Sequence, residues 1–94
     1  MKLRWTDGAV ENLRSAHEYL EAENFQAACN VVDRIISAVE RLEQFPHMGR
    51  IGRVEGSREL VVTGTPFVVA YRVKGDSVQI LAVLHGARKW PKKF

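Results

Sequence analysis

Arg58, Tyr71, Arg72, His85 and Arg88 are the residues whose types could carry a reaction. Together they offer one imidazole, one phenol and three fixed cations. That set suits cleavage of a phosphodiester without a metal. A hydroxyl nucleophile must lose a proton, the phosphate must gain negative charge, and the leaving oxygen must gain a proton. His85 or Tyr71 could move the protons. Arg58 and Arg88 could hold the phosphate through paired N–H groups and stabilise the charge that builds on it. Trp90 could stack a base, and Arg50, Arg53, Arg72 and Lys89 could track a nucleic-acid backbone. Each residue also has a structural alternative. His85 could close a strand end, Arg58 could pair with Glu55 or Glu59, and Tyr71 and Trp90 could be core aromatics.

Other chemistries lack their residues. No Cys or His pair stands at zinc spacing, so no metal site is expected. There is no Gly-x-Ser-x-Gly elbow, no dinucleotide fingerprint and no Lys-Ser/Thr pair after the glycines of residues 46–57. No cofactor is expected. His17 borders a helical stripe, and Cys29 reads as a small packing residue.

Charge singles out the half that holds these residues. Residues 1–49 carry five Lys/Arg against eight Asp/Glu, whereas residues 50–94 carry nine against three. The chain's net charge of +3 therefore joins an acidic half to a basic one. A basic half attracts polyanions such as nucleic acid or an acidic protein segment. The 94 residues make one domain, residues 1–94, with enough surface to bury a single core. No apolar run reaches the ~18 residues of a membrane helix. The first seven residues hold no apolar signal region. With one Cys and no internal disulfide, a reducing cytoplasmic location is expected.

The elements that must position these residues follow from periodicity. Lys2 to Trp5 predicts a short strand, with Thr6 or Asp7 capping a helix after it. Ala9, Val10, Leu13, Ala16 and Leu20 make one helical stripe. Asn24 caps a second helix whose stripe is Ala28, Val31, Val32, Ile35, Val39 and Leu42. It is expected to run to about Phe45, where Pro46 ends it. The short connection makes the two helices an antiparallel hairpin. Residues 46–57 break the periodicity and read as a basic connector or flap. Arg58–Thr63, Phe67–Val73 and Val78–Leu84 then alternate as strands joined by short turns, so they form an antiparallel meander. On the last strand Val78, Ile80, Ala82 and Leu84 are expected on one face, with Gln79, Leu81, Val83 and His85 on the other. Both faces are largely apolar, which makes that strand central. The fold class is α+β, with an N-terminal strand and a two-helix hairpin packed on a small, mainly antiparallel sheet that ends in a three-stranded meander.

The pieces, in order, resemble the RelE/ParE superfamily of bacterial toxins from type II toxin–antitoxin pairs. They are Trp5-Thr6, the hairpin, Phe45-Pro46-His47-Met48-Gly49-Arg50, Arg58-Glu59-Leu60-Val61-Val62, Tyr71-Arg72-Val73 and Leu84-His85-Gly86-Ala87-Arg88-Lys89-Trp90-Pro91. The resemblance covers nearly the whole chain. It implies a small growth-arresting toxin neutralised by a cognate antitoxin, whose flexible segment wraps along the hairpin and against the sheet. RelE-like members cut messenger RNA in the ribosome, and His85 and Arg58 match residues of that branch. ParE-like members share the fold, usually lack the RNA-cutting set, and in some cases poison DNA gyrase. Here Gly86 follows His85 where some RNA-cutting members have a Tyr, and residues 46–57 offer arginines without a lysine pair. The first expectation is a ribosome-dependent mRNA endoribonuclease. The alternatives are a non-catalytic gyrase inhibitor and an inactive antitoxin-binding protein.

Overall fold

The computed structural model describes all residues, 1–94. Strand β1 (Lys2–Trp5) leads into helices α1 (Asp7–Glu21) and α2 (Phe25–Glu40), and a 3-10 turn covers Arg41–Glu43. Strands β2 (Arg50–Ile51), β3 (Arg58–Val61), β4 (Phe67–Lys74) and β5 (Ser77–His85) follow. They form one sheet in the order β1-β5-β4-β3-β2. The β1–β5 pair is parallel and the other pairs are antiparallel.

Both helices start where a side-chain oxygen meets an orphan N–H. Thr6 Oγ1 accepts from the Ala9 N–H, and Asn24 Oδ1 accepts from the Ala27 N–H. The α2 stripe buries Ala28, Ile35 and Val39, and Leu42 follows in the 3-10 turn. Ile35, Val39 and Leu42 meet Leu60, Val69, Tyr71, Val78, Ile80 and Val83 of the sheet, and Val62 just past β3, in the main core. Burying a Leu or Ile side chain stabilises by roughly 1.5–3 kcal/mol, so this apolar layer is the main force joining hairpin to sheet.

Four local features differ from the expectations. The second helix tightens after Glu40 instead of continuing to Phe45. Pro46 disfavours helical geometry at the residue before it, and the tighter turn carries Leu42 fully into the core. The connector 46–57 contains strand β2, with Arg50 opposite Glu59 and Ile51 opposite Arg58. Strand β3 ends at Val61, because Thr65 turns the chain by donating to the Val62 carbonyl and accepting from the Phe67 N–H. The last strand is interior, lying between β1 and β4, while β4 holds the middle of the sheet.

A further difference, in the register of β5, matters most for the site. Ala82 pairs with Ala70 but Ile80 pairs with Tyr71, so Leu81 is an extra residue on β5. This bulge reverses the alternation beyond it. Val78, Ile80 and Val83 enter the core beneath the hairpin, and Ala82 turns to the other face. Helix α1 and its cap satisfy the strand here. Thr6 Oγ1 donates to the Ile80 carbonyl at 2.8 Å, and Asn12 Oδ1 accepts from the Val83 N–H at 3.1 Å.

The sheet face away from the hairpin is also partly covered. Val54, Val68, Ala70 and Ala82 are buried there or beside it. The 52–57 turn and the C-terminal tail cross this side and meet where the Arg53 guanidinium lies 3.7 Å from the Trp90 ring centroid.

Candidate functional site

The nine residues singled out in the sequence fall into separate groups. Arg58 and Tyr71 are cross-strand partners. Tyr71 is fully buried, and its hydroxyl donates to the Pro46 carbonyl at 2.8 Å and accepts from the Gly49 N–H at 2.9 Å. Burial raises the phenol's pKa, against the opposing pull of the Gly49 N–H and the Arg58 charge. Arg58 donates to the Gly49 carbonyl at 2.9 Å and more weakly to that of His47. The pair therefore fastens the chain after Pro46 onto the sheet. Gly49 fits only because it lacks a side chain: a Cβ there would stand 2.6 Å from the Tyr71 hydroxyl and 2.8 Å from the Glu59 carbonyl.

Glu59 is the polar residue that alternation did not single out as a site. It lies on the next step of β3, 3% exposed. Its carboxylate accepts from Arg50 at 2.9 Å, and from the Arg53 guanidinium and backbone N–H at 3.0 and 2.7 Å. Burial alone would raise its pKa, but the Arg53 and Arg50 hydrogen bonds and the Arg53 charge outweigh burial, lowering it from 4.5 to about 2. The carboxylate therefore pairs with Arg50 and Arg53, not with Arg58. Above Arg53 lies Trp90, whose indole N–H donates to the His85 carbonyl at 3.2 Å. Trp90 is thus stacked on a cation of its own chain. The one advance signal was an acid inside an apolar strand, preceded by two arginines in a loop.

His85 sits at the far end of β4 and β5, opposite Phe67, with the two rings 5.9 Å apart and edge to face. Its Nδ1 accepts from the Ala87 N–H at 3.2 Å, which leaves Nε2 to carry the proton in the neutral ring. His85, Arg88 and Lys89 line a cleft of about 460 Å³ against Tyr19 and Leu20 of α1, and Arg88 and Lys89 are exposed. Arg72 is exposed on the face away from the hairpin and donates to Gln79 at 2.6 Å.

The structure therefore joins Arg58 to Tyr71, Arg50 and Arg53 to Trp90, and Arg88 and Lys89 to His85. It does not join His85 to the first pair. Phe67, opposite His85, is four residues from Tyr71 along β4, a span of about 13 Å in an extended strand. Proton transfer needs donor and acceptor at about 3 Å or through one water. The single patch of Arg58, Tyr71 and His85 pictured from the sequence does not form.

Comparison with known proteins places the fold. The family described as the ParE toxin of the type II toxin–antitoxin system parDE matches residues 3–90. The chain belongs to this family. It is 40% identical over 91 residues to a Sinorhizobium fredii protein named "Putative toxin Y4kP", covering 97% of this chain and 94% of that protein. It is 32% identical over 84 residues to the Caulobacter vibrioides protein named Toxin RelE2, covering 89% and 93% of the two chains. A solved structure titled "Chromosomal ParDE TA system from P. aeruginosa" superposes with a TM-score of 0.82 at 31% identity, covering 88% of this chain and 92% of that one. The chain is thus a type II toxin of the RelE/ParE superfamily, with the hairpin-on-sheet fold of that group. None of its helices is long and apolar enough to cross a membrane.

Proposed function

We propose that this toxin arrests growth by binding a protein target on DNA, with DNA gyrase the leading candidate, and that it does not cut RNA. The scattering of the would-be catalytic residues carries this reading. Tyr71 is buried with its hydroxyl committed in two hydrogen bonds, Arg58 is engaged by backbone carbonyls, and His85 stands about four strand residues away. A set that must converge on one phosphate is instead divided between holding a loop and closing a strand end. The match to the ParE toxin family supports the same reading.

The partner that restrains the toxin is an antitoxin. Phe25 and Ile36 are exposed about three turns apart on the same side of α2, which leaves an apolar stretch of the hairpin for an antitoxin helix to cover. A segment that folds as it binds could wrap both this face and the sheet.

Purified toxin at micromolar excess should reduce supercoiling by gyrase and trap cleaved DNA–gyrase complexes. Undiminished supercoiling under those conditions would remove gyrase as the target. The relationship to Toxin RelE2, together with the imidazole that His85 presents beside Arg88 and Lys89, favours ribosome-dependent RNA cleavage as the second reading.

A further inference from the structure

We propose that the outer face of strands β1, β5 and β4 docks on the sugar-phosphate backbone of duplex DNA. Cross-strand pairing sets the residues of this face in two rows. Lys2, Ser77 and Lys74 form one row, and Arg4, Gln79 and Arg72 form the other. Their strand neighbours Leu3, Trp5, Tyr71 and Val73 pack in or against the core, so the four cations point the opposite way. All four are exposed, and none takes part in an ion pair. The residues between them, Ser77 and Gln79, are neutral. Gln79 accepts from Arg72 Nε, which steadies the guanidinium and leaves its terminal amino groups free to donate. The acid at the edge, Asp76, sits in the turn beside Ser77, outside both rows.

The spacing and chemistry select the partner. Two strand separations put Lys2 about 10 Å from Lys74, and likewise Arg4 from Arg72, while the rows lie about 7 Å apart. Long flexible cations at these spacings can reach phosphates on either side of a groove about 6–12 Å wide. No large exposed apolar side chain belongs to either row. A protein interface would be expected to offer an apolar anchor, and a single-strand site an aromatic platform for bases. The tail's Trp90 is already stacked on Arg53. Four cations in rows that themselves hold no apolar or aromatic side chain instead suit a regular polyanion read through its phosphates, without regard to sequence.

This surface includes Lys2, Arg4 and Lys74, which played no part in the site considered above. The inference goes beyond the gyrase reading, and its test contains no gyrase, so the two can fail separately. Fluorescence anisotropy would follow purified toxin binding a labelled 20-base-pair DNA of mixed sequence across a salt series, beside single-stranded DNA and RNA of the same length. One variant combines Lys2→Gln, Arg4→Gln and Lys74→Gln. A second, of equal net charge, combines Arg14→Gln, Arg34→Gln and Arg41→Gln on the hairpin side. Circular dichroism and thermal unfolding would confirm that both fold. The first variant should bind duplex at least tenfold more weakly, with a salt slope shallower by up to about 0.9 per lost cation. The second should retain wild-type affinity. The proposal is overturned if both variants weaken alike, if either single strand binds more tightly than duplex, or if wild-type toxin shows no salt-dependent duplex binding at low salt.

Discussion

Glu59 and Tyr71 show how two polar residues can sit inside this small core. Glu59 is ionised while nearly inaccessible because Arg50 and Arg53 satisfy it from the solvent side. Its folded pKa of about 2 lies below the ordinary carboxyl value of 4.5. The sign follows from linkage: the ion pairs stabilise fully above about pH 4.5, and this contribution disappears as pH falls through about 2. The depression corresponds to a contribution on the order of 3 kcal/mol. Urea unfolding between pH 7 and 2 should show that loss in the wild type. In Glu59→Gln, stability should be lower at pH 7 by a similar amount and the acid dependence should be flatter. Tyr71 has the opposite sign. Its raised pKa means that the neutral phenol is the form the fold favours. That stability is complete below the unfolded phenol value near 10 and is lost as pH rises through the folded one. Tyr71→Phe should cost about 1–3 kcal/mol, because it strands the buried Pro46 and Gly49 backbone groups. If the tyrosine only fastens this loop, the variant should remain toxic at temperatures where it stays folded. Loss of toxicity in a folded Tyr71→Phe protein, measured by growth after induction, would instead give the hydroxyl a chemical role.

At the scale of elements, the helix starts are the most local features and the bulge the least. Thr6 and Asn24 mark their helices because each supplies an oxygen to an N–H three residues on. That signal needs no tertiary contact, so the sequence alone revealed it. The caps should nevertheless differ in weight. Asn24→Ala should cost about 1 kcal/mol in thermal unfolding, as an exposed cap does. Thr6→Ala should cost more, since Thr6 also donates to the Ile80 carbonyl and so ties the start of α1 to the bulge of β5. Equal costs would show that this second bond contributes nothing. The bulge at Leu81 was hidden because the groups that bond the strand on either side of it, Thr6 at the Ile80 carbonyl and Asn12 at the Val83 N–H, lie far upstream in the chain. Strict alternation therefore placed Val83 and Ala82 on the wrong faces. Strand β2 was missed for a related reason: two residues give no period, and Arg50 is held beside Glu59 by a charge contact that the order of the chain does not display.

For the whole molecule, the hydrophobic pattern was enough for the hairpin, the meander and the α+β class, because burial of apolar stripes decides those features. Family membership was legible from the ordered segments between Trp5 and Pro91, and the match to residues 3–90 agrees. The arrangement of the site was not legible. Arg58, Tyr71 and His85 have suitable types, but which of them meet depends on register, and the pairing of Phe67 with His85 sets His85 four residues along β4 from the other two. The tail's Trp90 looked available to a base and is instead engaged by Arg53. The same fold can thus keep residues suited to cleavage while using them to close its loops and strand ends.

Growth arrest without RNA cleavage by this chain can be checked by mapping transcript 5′ ends in cells minutes after induction, with DNA synthesis followed in parallel. DNA synthesis should stop first, translated messages should stay intact, and His85→Ala should leave the arrest in place. Cuts within translated messages that appear before replication stops and vanish in His85→Ala would contradict it.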